Sequence, residues 1–130
     1  MLKALVEADV FTNFLEQAEE LFDKKYDLAA AVVAGSVLED ALRKLCDRHN
    51  IVIPDPKDAS LPKKTATMSD YNMALMKAGV YEKTTFKQVD TSATIRNHAA
   101  HGERVKFTPE DVRILIQYVS YFMATYFAGK

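Results

Sequence analysis

Tryptophan is absent from this 130-residue chain and cysteine occurs once. With Cys46 alone, no disulfide can form within the chain, so packing must hold the fold. There is no Gly-rich phosphate loop, no His-Glu-x-x-His and no cysteine cluster with zinc spacing, so neither a metal nor a cofactor is expected. Charge of one sign is also lacking: 17 basic and 18 acidic residues give a formal net charge of −1. That balance excludes a whole-surface nucleic-acid footprint, and any RNA contact must use a local patch. The uncharged run Leu28 to Leu38 is far too short to span a bilayer, and Glu7 and Asp9 interrupt the apolar start where a secretory signal would lie. A cytoplasmic protein with no membrane partner is expected. No segment alternates with the period of a strand, and no repeat or low-complexity segment occurs.

What is present suits one globular domain over residues 1–130, with 48% hydrophobic and 27% charged residues. The periodicity predicts an all-α fold, an up-and-down bundle of four to five helices. Residues 2–23 place Phe11, Phe14, Leu15, Ala18, Leu21 and Phe22 at 3-4 spacing, with Glu16, Glu19 and Glu20 outward. Asp27 can cap a second helix over 28–49. The first half of that helix is apolar all round except for Ser36, which marks it as central. Gly35 lowers helix stability there by about 1 kcal/mol relative to alanine, so close approach of a neighbour is its natural explanation. The second half continues the core through Leu38, Ala41, Leu42 and Leu45, and Cys46 among them reads as a small core residue. Glu39–Arg43 and Asp40–Lys44 stand at ion-pair spacing.

Residues 50–68 form one long irregular segment, locally basic through Lys57, Lys63 and Lys64. Ser69 reads as the N-cap of a short helix over 70–77, closed by Gly79. The last helix has the clearest start: Thr108 as N-cap, Pro109 at N1, then Glu110 and Asp111 at the positive end of the dipole. Val112, Leu115, Ile116, Val119, Phe122, Met123 and Tyr126 form its core stripe. A second row, Ile114, Tyr118 and Tyr121, exceeds what one buried face needs and suggests a partner surface, with a homodimer expected.

The chemistry-bearing stretch is Ile95-Arg96-Asn97-His98-Ala99-Ala100-His101-Gly102. On a helix over 82–101, Asp90, Thr94, Asn97 and His101 make one polar stripe. Gly102 fits the C′ position and puts His101 in the last turn. Arg96 suits a phosphate and His101 suits proton transfer. Two readings stand side by side, because arginine and histidine near a helix end also cap carbonyls and offset the dipole. His98 lies about 200° from Arg96 around the helix, which makes it a supporting rather than a leading candidate. One of Glu39 and Asp40 is a candidate for orienting Arg96 or His101. Lys63, Lys64, Arg104 and Lys106 are the candidate RNA-binding cations.

With the helices placed, the chain from about Tyr26 to Tyr126 resembles the HEPN family of small helical bundles in toxin and antiviral defence systems. The resemblance rests on three features: the small-residue helix running into Val37-Leu38-Glu39-Asp40-Ala41-Leu42-Arg43, the Arg96-Asn97-x3-His101 motif, and the Thr108-Pro109-Glu110-Asp111 helix start. It implies a metal-independent endoribonuclease with an active site composed across a homodimer. Under it, His101 acts as general acid or base at the ribose 2′-hydroxyl and Arg96 holds the scissile phosphate. Asn97 orients His101 or donates to a phosphate oxygen, and Glu39 or Asp40 takes the acidic position of some members. The products would be a 2′,3′-cyclic phosphate and a 5′-hydroxyl. The resemblance also admits a non-catalytic member that dimerises or binds a nucleotide, and a protein antitoxin or regulator as partner. In one respect the chain departs from members modified by nucleotidyltransferase antitoxins: Glu103 stands where they carry tyrosine.

Overall fold

A computed structural model describes residues 2–127, with side chains from Asp9 onward, so Glu7 falls outside the described side chains. Five α-helices follow one another: α1 (Leu2–Asp23), α2 (Asp27–Arg48), α3 (Met68–Lys77), α4 (Lys83–Ala100) and α5 (Pro109–Phe127). A single 3-10 turn, Arg104–Lys106, joins α4 to α5. The fold is all-α. Among the described residues, the only extended pairing is an isolated bridge between Pro54 and Pro62 in the α2–α3 segment. No helix among them is long and apolar enough to cross a membrane.

The residues fall into two packing units. One comprises the chain up to Leu38 together with everything from Thr94, and the other runs from Glu39 to Ala93. In the first unit α1 lies against α5, and Phe11 meets Phe127 edge-on with ring centroids 5.5 Å apart. Phe11, Leu15 and Ala18 are buried at i, i+4 and i+7, while Phe14 on the flank of that stripe is 46% exposed rather than part of the core. The α5 stripe from Val112 to Met123 is buried as its spacing predicts. In the second row, Ile114 and Tyr121 stay exposed, and Tyr118 is half-buried. Burial pushes the Tyr118 phenol well above its usual range, with the neighbouring Tyr126 and Tyr121 adding to the effect. Thr108 and Asp111 cap the start of α5 reciprocally: the Asp111 amide donates to the Thr108 hydroxyl, and the Thr108 amide donates to the Asp111 carboxylate.

The second unit is built on Ala41, Leu42, Leu45, Cys46, Leu75 and Val89, all buried. Burial, and then the charge of Asp47, pushes the Cys46 thiol up to about 11, so it stays a protonated core residue at neutral pH. The α3 helix begins earlier than Ser69 suggests. Thr67 is its N-cap, because its hydroxyl accepts from the Asp70 amide while the Asp70 carboxylate accepts from the Thr67 amide. Serine and threonine both satisfy the cap preference, and it is the aspartate three positions on that selects Thr67.

Sequence patterning gave no warning of the buried polar group in this unit. Asn72 is 2% exposed, donates to the Phe86 carbonyl at 2.9 Å and accepts from the Tyr81 hydroxyl at 2.5 Å. Replacing a buried, doubly bonded amide by an apolar isostere removes the partner of each group, at about 1–3 kcal/mol per group. Asn72→Leu is therefore expected to lower unfolding stability by about 2–3 kcal/mol, after some offset from added apolar contact. Urea unfolding monitored by circular dichroism reads this directly. A midpoint unchanged from the parent would show that the network contributes no net stability.

Helices α1 to α4 all end in the same way. In each, a residue with positive φ follows the last turn: Lys25 at 69°, Asn50 at 56°, Gly79 at 77° and Gly102 at 70°. Each closes a pair of backbone bonds back into its helix, as in Tyr26 N–H to Leu21 O (2.8 Å) and Ile51 N–H to Cys46 O (2.9 Å). This Schellman closure satisfies terminal carbonyls without any side chain.

Candidate active site

Backbone bonds close the last turn of α4. The Glu103 amide donates to His98 O at 2.8 Å, Gly102 to Ala99 O at 3.0 Å and His101 to Asn97 O at 3.1 Å. Gly102, at φ +70°, supplies the left-handed residue that this closure needs, and His101 becomes the C-cap just past the last helical residue. The Asn97, His98 and Ala99 carbonyls are therefore already satisfied. The His101 imidazole is exposed and makes no hydrogen bond among the described residues. Side-chain capping, the competing explanation for these residues, is unnecessary for those three carbonyls.

Asp90, Thr94, Asn97 and His101 are all exposed, so the polar stripe of α4 is a surface. Arg96 is held quite differently. Its stem lies against Gly35 of α2: a Cβ at position 35 would sit 2.5 Å from the Arg96 Cβ and closer still to its Cγ. The glycine in α2 thus leaves the room that the Arg96 stem fills. The Arg96 Nε is buried and makes no hydrogen bond of its own, while the side chain is engaged through other interactions. A stem fixed this tightly limits the positions the guanidinium can take, which is what a pre-set anion contact needs.

His98 is half-buried, and its Nδ1 lies 3.2 Å from Glu103 Oε1. The His98 hydrogen bond, followed by the nearby charges of His98, Lys106 and His101, holds the Glu103 carboxyl below its usual range. An ionised carboxylate only accepts, so the proton of this contact belongs to His98 Nδ1. Helical periodicity alone assigns Glu103 no part. The signal was nevertheless present: a Schellman closure folds the C″ residue back onto C3, and these positions are Glu103 and His98. Where that pair is usually apolar, here it is polar.

The remaining candidates divide between the two units. Arg104 and Lys106 are exposed on the 3-10 turn next to the motif. In the other unit, Asp40 pairs with Arg43 one turn on and lies 3.8 Å from Lys44, so ion pairing accounts for it. Glu39 is half-buried. Lys63 is tied to Asp70 at 2.8 Å, and Lys64 is exposed. Among the described residues, no group of three or more His, Cys, Asp or Glu could hold a metal ion. Compared with family models, with curated proteins and with solved structures, the chain matches none.

Proposed function

We propose that the chain is a HEPN-like, metal-independent endoribonuclease that works as a homodimer in a defence or toxin system, with Arg96, Asn97 and His101 as its site. One observation carries this reading. The Asn97, His98 and Ala99 carbonyls at the end of α4 are bonded by backbone amides, which leaves the His101 imidazole exposed on the same helix end as an arginine whose stem is seated against Gly35. Arg96 would hold the scissile phosphate and offset the charge that grows on it, and Asn97 would donate to a phosphate oxygen or orient His101. His101 would move a proton at the ribose 2′-hydroxyl or at the leaving 5′-oxygen. Arg104 and Lys106 on the adjoining turn would track the backbone.

The exposed Ile114 and Tyr121 on α5 favour a second reading, in which the chain is a non-catalytic interaction or nucleotide-binding module. In the ribonuclease reading the same residues serve dimerisation. Cleavage separates the two. RNA incubated with the protein and EDTA is expected to yield 2′,3′-cyclic phosphate and 5′-hydroxyl ends, with the rate falling at least about 100-fold in Arg96→Ala. Absence of cleavage of structured and single-stranded RNA at enzyme excess would favour the interaction module.

A further inference from the structure

Between Asp90 and Glu110 the chain carries Arg96, His98, His101, Arg104 and Lys106, and one acid, Glu103. A carboxylate among these bases repels an anionic partner, so charge alone gives no reason for it. Its bonding does. The Glu103 amide donates to His98 O at 2.8 Å, its carbonyl accepts from the Lys106 amide at 2.9 Å, and its Oε1 accepts from His98 Nδ1 at 3.2 Å. The backbone at Glu103, φ −85° and ψ 68°, is the centre of an inverse γ-turn, in which the Arg104 amide donates to Gly102 O at 3.0 Å. The direction of the chain between α4 and the 3-10 turn is therefore set at this residue. Val105 is 95% exposed and gives the turn no apolar hold, and the buried Phe107 anchors only its far end.

We infer that Glu103 is a positioning residue: held by His98, it fixes the direction in which Arg104 and Lys106 leave α4, and so presents both cations to an RNA backbone. This rests on the ribonuclease reading above, from which the turn takes its partner. The γ-turn and the 3-10 turn are each closed by one backbone bond. The side-chain bond ties position 103 to position 98 a second time, beyond the Schellman closure. Cations on a turn held in this way lose less freedom on binding than cations on a loose one. Glu103 itself touches no RNA.

Two variants carry the same change of charge and differ in geometry. In Glu103→Gln the side-chain oxygen still accepts from His98 Nδ1–H, whereas Glu103→Ala has no acceptor. Binding is read by fluorescence anisotropy of a labelled 2′-O-methyl oligouridine, which lacks the 2′-hydroxyl and is not cleaved. Order in the turn is read by amide hydrogen exchange. Glu103→Gln is expected to bind at least as tightly as the parent, because a negative charge beside the phosphates is gone. Glu103→Ala is expected to bind about 3- to 10-fold more weakly than Glu103→Gln at the same salt. Exchange at the Lys106 amide should rise at least about 10-fold in Glu103→Ala alone, with the Val119 amide in α5 as protected as in the parent. If Glu103→Ala loses that core protection, His98→Ala against His98→Asn, which keeps a donor, makes the same comparison from the other side of the bond. Equal binding by the paired variants, or parent-like exchange at Lys106 once the acceptor or donor is gone, would overturn the inference. The ribonuclease reading would survive that result if the parent cleaves unmodified RNA and Arg104→Ala or Lys106→Ala weakens binding. A parent that does not bind the oligonucleotide would remove the role of the turn, and loss of cleavage as well would remove the ribonuclease reading.

Discussion

Gly35→Ala is expected to cut the proposed RNA cleavage about 100-fold and to destabilise the fold at once, although alanine is the better helix former. The exchange gains up to about 1 kcal/mol in helix propensity. Against that, the new Cβ would overlap the Arg96 stem at two carbons, both nearer than van der Waals contact allows. Overpacking of a filled site costs about 1–3 kcal/mol and moves the intruding group. Net destabilisation of about 1–2 kcal/mol follows, together with displacement of the guanidinium. A misplacement of about 1 Å at a catalytic group is enough to cost about 100-fold in rate. Chemical unfolding and a cleavage assay read the two effects separately. Adding Arg96→Ala should restore only part of the stability, because the overlap with the Arg96 Cβ at 2.5 Å persists in the double variant. It should restore none of the activity. Parent-like cleavage by Gly35→Ala would mean that the seating of Arg96 has no bearing on function.

This link between Gly35 and Arg96 also shows what the sequence could and could not disclose. A glycine inside an apolar helix announces close approach, but nothing in a linear pattern says that the approaching group is an arginine 61 residues later. Helix α5 was legible to its first turn, because Thr108, Pro109 and Asp111 act within four residues of one another. The start of α3 lies two residues before the one a Ser69 cap predicts, because Ser69 and Thr67 compete for one role and the carboxylate of Asp70 decides between them. Helix ends followed the same rule. Gly79 and Gly102 advertise a left-handed residue, whereas Lys25 adopts that conformation with no chemical signal, held by the two backbone bonds around it. Asn72 and its partners were invisible because amides are usually exposed and its acceptor is a backbone carbonyl 14 positions away.

At the site, the polar stripe and the C′ glycine of α4 followed from helical periodicity. The pairing of His98 with Glu103 did not, since it depends on the chain reversing at Gly102 and folding position 103 back over the last turn. The reversal supplies His98 with a neighbour that an isolated helix lacks, while its angle from Arg96 stays as helical periodicity gives it.

His101→Ala tests the central claim most directly, because the two explanations of the motif predict different responses. If the α4 terminus is closed by backbone and His101 serves chemistry, the exposed imidazole contributes little to stability. The unfolding midpoint should then shift by no more than about 0.5 kcal/mol equivalent, as for a surface residue away from any structural feature. RNA cleavage in EDTA should fall at least about 100-fold, the scale of a lost proton-transfer group. If His101 instead caps the helix, stability should fall by about 1 kcal/mol or more while cleavage tracks only the folded fraction. Intact stability with lost cleavage is the predicted result, and lost stability with cleavage intact per folded molecule would contradict it.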